Sequence, residues 1–462
     1  MNDQKSEARH RLMTQERIIP LILRLSAPTT VGMFVTALYS MTDALFVSSL
    51  GTEASAAVGV TFAIQALLQA IGYTFGVGAA SLISRALGSR RDKEAGTYAT
   101  LALILGTVTG CAVMLIGLLF GNPVIRLLGA TQSIHPYALV YSRYLFLSAP
   151  FTCCAFVASQ LLRAEGKAIY SMVGLAVGSL LNIALDPLLI FGFGLGIAGA
   201  SLATLISQIA GLAVLLSAYV FGKSQLTVFH HFSKADFSES KKILIAGLPS
   251  LFRQGCIALA TILLNHAAGA WGDAAVAALS VVNRVFQLAF SICLGVGQGM
   301  MPVVGFNYGF DRKDRVYRAY LFASLLASSL MLLISIPLFI LSPQVIAVFR
   351  DDPDVIAIGT VALRAQSAVL VTHGIVTCAN MLLQSIGKQF FATVLACARQ
   401  GILFLPLLFW LPSHFGKEAL VYVQPLADAL TLLLAIPFLF YIARHLKEKT
   451  ARGQKMPSRG RG

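Results

Sequence analysis

Apolar stretches, each longer than 20 residues, alternate along the chain with short segments that hold most of its charge. A bilayer core of about 30 Å is crossed by about 20 helical residues. Cutting the sequence at clusters of charge and turn residues predicts twelve spans: 18–45, 55–84, 95–120, 136–162, 170–192, 197–222, 241–268, 275–303, 318–341, 356–384, 390–412 and 419–444. Open strands cannot cross lipid, and the runs lack the strict alternation of a barrel, so the spans are helices. The expected fold class is an all-α polytopic membrane protein. Several runs exceed the minimum length, which implies tilt, bending or projecting ends.

Composition sharpens this reading. Of 462 residues, 57% are hydrophobic and 12% charged, about half the charged fraction of a soluble protein. That excludes a cytosolic enzyme, a disordered chain and a secreted disulfide scaffold. The net charge of +15 comes without a recognition helix, zinc knuckle or aromatic-basic patch, so no nucleic-acid partner is expected. Its placement instead orients the protein. One set of loops, with both ends of the chain, carries 27 Lys and Arg, whereas the opposite loops hold only Arg126, Arg350 and Lys417. The positive-inside rule then places both termini in the cytoplasm and the protein in the cytoplasmic (inner) membrane. The seven cysteines lie inside apolar runs without a CxxC pair and read as small buried hydrophobes. The polar start through Arg17 leads into a run long enough to be retained as the first span, so no cleavable signal is expected.

The chain matches itself at an offset of 221 residues. Pro28 pairs with Pro249, Gly51 with Gly272, Gly76 and Gly78 with Gly297 and Gly299, and Gly88 with Gly309; Leu161-Leu162-x-x-x-Gly166-Lys167 returns as Leu382-Leu383-x-x-x-Gly387-Lys388. Six spans per half is an even number, so the halves are parallel repeats about an axis along the membrane normal, with a substrate pathway between two bundles. The expected organisation is a cytoplasmic segment (1–17), an N-lobe of helices 1–6 (18–222), a cytoplasmic linker (223–240), a C-lobe of helices 7–12 (241–446) and a disordered cytoplasmic tail (447–462) that touches anionic lipid.

Particular stretches carry a resemblance. They are Ala27-Pro28, Tyr39-Ser40-Met41-Thr42-Asp43, the Gly76–Gly88 segment with its counterpart Gly295–Gly299, and above all Asn182-Ile183-Ala184-Leu185-Asp186-Pro187 followed by Gly194–Thr204. Over nearly its whole length the sequence resembles the multidrug and toxic compound extrusion (MATE) family. That resemblance implies export of organic, often cationic, compounds driven by inward H+ or Na+ flow.

Charge inside a span costs at least about 2.5–3.5 kcal/mol at mid-depth, so Asp43, Asp186 and Asp428 are functional candidates by default. Asp43 lies about 35 Å of helix contour from the cytoplasmic start of span 1, and Asp186 about 24 Å along span 5. Thr204 is about 10 Å into span 6 from the opposite face. Asn182 and Asp186, four residues apart, share a helix face. Carboxylates, an amide and a hydroxyl are hard oxygen donors suited to H+ or Na+. The resemblance assigns Asp43, Asn182, Asp186 and Thr204 to the N-lobe cation site, where Na+ is the candidate metal. Pro28 and Pro187 are the expected bending points. No cofactor is expected beyond the coupling ion.

Arg399 and Asp428 fall at similar depth in spans 11 and 12 and are expected to form a structural ion pair. Span 7 reads Leu248-Pro249-Ser250-Leu251-Phe252-Arg253-Gln254, and span 10 offers His373 but no acid. NorM-type members carry carboxylates in those two spans, so the DinF-like branch is the better match. Candidate cleft residues are Met33, Phe34, Tyr39, Phe62, Gln65, Arg253, Arg284, Phe286, Gln287 and His373; Met and aromatic side chains adapt to varied ligands and attract organic cations. Arg364 is a further candidate. Two functions stay open: a monomeric secondary exporter of small molecules, and a lipid-linked glycan flippase of related two-lobe architecture. HExxH, GxSxG and Walker motifs are absent from the sequence, which argues against an enzyme.

Overall fold

A computed structural model describes residues 2–222, 224, 226, 228 and 234–453. Among the described residues the chain is helical throughout, without strands. In order the helices are α1 (Asn2–Gln15), α2 (Ile18–Ser48), α3 (Thr52–Gly88), α4 (Asp92–Leu119), α5 (Gly121–Leu127), α6 (His135–Ala164), α7 (Ala168–Pro187), α8 (Ile197–Val220) and α9 (Ser240–Gly269). They continue with α10 (Asp273–Gly309), α11 (Lys313–Ile340), α12 (Ser342–Phe349), α13 (Pro353–Val369), α14 (Thr372–Ser385), α15 (Gln389–Cys397), α16 (Phe404–Phe415) and α17 (Val423–Gly453). Eleven described helical stretches are long and apolar enough to cross a membrane, and the pair α13–α14, bent by 55° at Leu370–Val371, makes the twelfth.

The departures from expectation have local causes. Span 10 is a broken helix. At the bend side chains add to tightened backbone bonds: Ser367 O accepts from Leu370 N and, at 2.7 Å, from Ser335 Oγ, and Val371 O accepts from Gly374 N and, at 3.2 Å, from Ser328 Oγ. The polar N-terminal segment is a helix, since Gln, Lys, Glu, Arg, Ala and Leu are good helix formers. At the other end α17 runs through Gly453 where a disordered tail was expected, because Lys447–Arg452 is also composed largely of helix formers. Residues 454–462 of that tail, and most of the 223–233 part of the linker, lie outside the described residues. Pro28 sits inside an unbroken α2, whereas Pro187 ends α7 and is followed by a π-helical turn, Leu188–Gly192.

The repeat in the sequence is also a repeat of turn geometry. Gly51 and Gly272 have φ of 120° and 143°, Gly166 and Gly387 of 76° and 82°, and Arg90 and Asp311 both of 59°. Arg91 N donates to Ala86 O as Arg312 N does to Asn307 O, each at 2.8 Å. A glycine is required at the first two pairs, since these backbone conformations strain any side chain.

Two compact units divide the chain: Met1–Ser26 with Ser84–Arg91 and Ile262–Gly462, and Ala27–Ile83 with Asp92–Thr261. They cut across the two halves of the sequence because the halves exchange contacts. Within the second unit Gly78 of α3 packs on Ile243 and Gly247 of α9; within the first, Gly299 of α10 packs on Ser26 of α2. Ser26 and Gly247 are themselves 221 residues apart, so the second helix of each half receives the first helix of the other.

The core of the first unit holds a buried carboxylate. Asp428 Oδ1 accepts from Arg399 Nε at 2.8 Å and Gln424 Nε2 at 2.9 Å, and Oδ2 accepts from Gln366 Nε2 at 2.7 Å. The Arg399 guanidinium lies over the rings of Phe286 and Phe290, at 4.6 and 4.8 Å. Three helical segments, α13, the turn holding Arg399 and α17, thus meet at one carboxylate, and α10 packs on its arginine partner. Breaking a buried pair by removing one partner costs about 3–5 kcal/mol. Asp428→Asn is therefore expected to lower the unfolding temperature in detergent by several degrees; an unchanged temperature would deny the pair its anchoring role.

In the second unit α7 and α8 approach closely through glycine. A Cβ on Gly178 would stand 3.2 Å from the Ser207 carbonyl, and one on Gly211 3.1 Å from that of Gly174. Overpacking such a contact costs about 1–3 kcal/mol. Gly178→Leu is expected to lower thermal stability by that order and to force α7 off α8. Thermal unfolding in detergent checks this, and a variant as stable as the parent would contradict it.

Candidate functional site

The α7–α8 glycine contact sets the register of what lies one turn further along. Asn182 is four residues beyond Gly178, and its side chain meets Thr204 of α8. The orientation of the Asn182 amide follows from its neighbours. With nitrogen toward Asp186 it donates to Oδ2 at 2.9 Å, and its oxygen accepts from the Thr204 amide at 3.2 Å. The opposite orientation sets oxygen against a carboxylate and nitrogen against an N–H donor. Asn182 and Asp186 therefore act as one unit on one helix face, as their i, i+4 spacing requires.

Asp43 arrives from α2. Its carboxyl is within hydrogen-bonding reach of Asp186, and Tyr141 of α6 donates to its Oδ2 at 3.5 Å. Tyr39, one turn before Asp43, places its hydroxyl against Thr204. Asp43, Asn182, Asp186 and Thr204 are all buried. The site is thus an oxygen-rich knot contributed by α2, α6, α7 and α8, inside helices that are otherwise apolar. Asp43 Oδ1 is buried without a hydrogen-bond partner. Two carboxyls in contact at low dielectric cannot both carry charge cheaply, and the orphaned Asp43 oxygen is one that a proton or a small hard cation would satisfy.

The structure brings together all four residues expected at the N-lobe site, and adds Tyr39 and Tyr141. Tyr39 was expected in the cleft. Tyr141 escaped the sequence reading, although it lies six residues into α6 from the same side as Thr204 in α8, a match of depth that could have found it.

A small, partly open cavity adjoins this knot. Tyr39 and Asn182 line its site end, with Thr36, Ser179, Ser207 and Gln208 continuing along it. The small residues that let α7 and α8 approach also leave this room. Of the proposed cleft residues only Tyr39 lines the cavity. Met33 is buried, Phe34, Gln65 and Arg253 are half-buried, and Phe62 is exposed. In the first unit Arg284 and Gln287 are exposed. Phe286 belongs to the Arg399 cluster, as does His373, whose Nε2 lies 3.3 Å from Asp428 Oδ2 but is not aligned as a hydrogen bond. Arg364, two residues before Gln366 on α13, donates to Phe339 O and Ser342 Oγ at the α11–α12 junction.

Comparison with known proteins agrees with this architecture. The MatE family profile matches twice, at residues 28–188 and 249–410, and the two matches begin 221 residues apart. The multidrug export protein MepA of Staphylococcus aureus is 26% identical over 435 residues, covering 94% of this chain and 96% of MepA. An outward-facing multidrug resistance MATE family transporter of the MOP superfamily superimposes with a TM-score of 0.88 at 28% identity, covering 95% of this chain and 98% of its own. A MATE protein crystallised in complex with MaL6 gives 0.88 at 27% identity, with 95% and 99% covered. With both halves of its repeat matched and its helices following those of solved members, this chain belongs to the MatE family, whose members are membrane transporters and not enzymes.

Proposed function

We propose that this protein is a secondary exporter. It moves organic compounds, cationic ones among them, out across the cytoplasmic membrane in exchange for inward H+ or Na+, by alternating access. The observation that carries this reading is the pair of buried carboxyls, Asp43 and Asp186, held in contact by helices that reach them from different parts of the chain. Charge there is expensive unless an ion or proton accompanies it. The site therefore has a reason to bind, and a reason to change shape when the ion leaves.

Asp43 and Asp186 would hold the ion, with Asn182, Thr204, Tyr39 and Tyr141 supplying further oxygen atoms. The donor set is all oxygen, which suits a proton or Na+ and not a soft metal. Losing the ion leaves like charges facing each other, so α2 and α7 pack differently in the two states, with Pro28 and Pro187 as bending points. Drug and ion then each favour one packing, which is all that coupling requires. The working unit in this reading is a monomer in lipid with both termini in the cytoplasm. Name and fold of the relatives support export of drugs; the identity of the ion rests on the chemistry of the site.

Asp43→Asn is expected to insert and fold like the parent but to lose gradient-driven efflux from proteoliposomes by at least tenfold under both imposed pH and imposed Na+ gradients. Full efflux by the folded variant would remove Asp43 from the coupling site. If the ion is H+, drug affinity of the purified protein in Na+-free buffer should vary between about pH 5 and 9, the span over which a shared carboxyl proton is exchanged. Asp186→Asn should flatten that variation. An affinity independent of pH in the unmodified protein would leave Na+ as the coupling ion.

A further inference from the structure

The N-terminal helix α1 plays no part in the ion site, yet it is seated with unusual polarity. Among its described side chains, residues 7–15, the buried ones are His10, Met13 and Thr14, a narrow i, i+3, i+4 stripe with a single apolar residue. Much of what holds it is hydrogen bonding at specific points. His10 Nε2 is 3.1 Å from the Gly88 carbonyl at the end of α3, and its ring meets Phe310, just past α10, edge-on at 4.7 Å. Asn307 of α10 donates through Nδ2 to Met13 O at 3.0 Å. Arg315 of α11 donates through Nη2 to Glu16 O at 2.6 Å and through Nε to Asn307 Oδ1 at 2.9 Å. Carbonyls at the end of a helix have no partner within it, and here side chains of α10 and α11 cap those of α1.

The helices that α1 joins come from opposite halves of the repeat. Their ends cross at two repeat-related glycines: Gly88 lies against the Phe306 backbone, and Gly309 against that of Arg85. Ser89 Oγ also donates to Gly309 O at 2.9 Å. All these residues belong to one compact unit. If transport proceeds by alternating access, as proposed above, a path that opens between the halves on the cytoplasmic side has to part this crossing.

We infer that α1 is a cytoplasmic latch. Docked, it ties the end of α3 to the end of α10; undocked, it lets them separate. Among the described side chains, one buried methionine and the hydrogen bonds at His10, Met13 and Glu16 make a seat shallow enough to be left and retaken in each cycle. Only Glu16 and Arg17 separate α1 from α2, the helix that carries Asp43. Release of α1 is therefore mechanically linked to the helix on which the ion acts.

The test is a reversible lock. S89C/F310C, which spans the crossing of the α3 and α10 ends and leaves His10 in place, would be joined by a short reducible bis-methanethiosulfonate in proteoliposomes, with S89C, F310C and the unmodified protein as controls for the native cysteines. Drug efflux by the cross-linked protein should fall more than tenfold and return on reduction, while the controls change little. Cross-linked protein that exports at its reduced rate overturns the latch. Reduced protein that exports under neither gradient overturns the exporter reading on which the latch rests. A second measurement stands apart from these substitutions. Amide hydrogen exchange of the unmodified protein at residues 9–16 should quicken severalfold during turnover compared with rest, and equal protection in the two conditions would also overturn the latch.

Discussion

A carboxylate inside an apolar helix bundle must find a counter-charge, a proton or a hydrogen-bond network, and the architecture is organised around that constraint. The two units meet it in opposite ways. In one, Asp428 takes Arg399 as a permanent partner and adds two glutamines, so the charge is neutralised within the protein. In the other, Asp43 and Asp186 face each other, and only neutral side chains surround them in the described geometry. The first arrangement is a fixed joint. The second is incomplete without a mobile ion, which is what a coupled transporter needs at its centre.

Glycine governs how these sites are held. Close contact of α7 with α8 at Gly174, Gly178 and Gly211 brings Asn182 to Thr204 and leaves the adjoining cavity. The repeat-related pairs Gly78 and Gly299, and Gly88 and Gly309, let helices from different halves touch through backbone. Such contacts have little side-chain interdigitation to hold them in one register. They can slide or part more readily than a leucine-packed interface, because fewer side chains must repack.

Much of this was legible in the sequence, for physical reasons. Long apolar runs have few alternatives to spanning helices, so the twelve spans and the 221-residue repeat could be read directly. Charged residues in such runs are rare enough to stand out, and Asp43, Asp186, Asp428 and Arg399 were found on that ground. What could not be read depends on three-dimensional neighbours. Tyr141 is one of thirteen tyrosines and differs from the rest only by lying at the depth of Asp43. The 55° bend of span 10 has no proline at Leu370–Val371, and the hydroxyls that bond its carbonyls come from α11, distant in sequence. The docking of α1 arises from single hydrogen bonds to Asn307, Arg315 and Gly88, which leave no periodic signal.

The central claim is that one ion at Asp43 and Asp186 and one drug compete for alternative packings of the same helices. Coupling of that kind is reciprocal. The most direct measurement imposes a drug gradient alone across proteoliposomes, with H+ and Na+ equal on both sides, and follows internal pH and Na+ with fluorescent indicators. Drug moving down its gradient should drive one of the two ions in the opposite direction, and both Asp43→Asn and Asp186→Asn should abolish that ion flux. Drug movement by the unmodified protein with neither ion displaced would contradict the account.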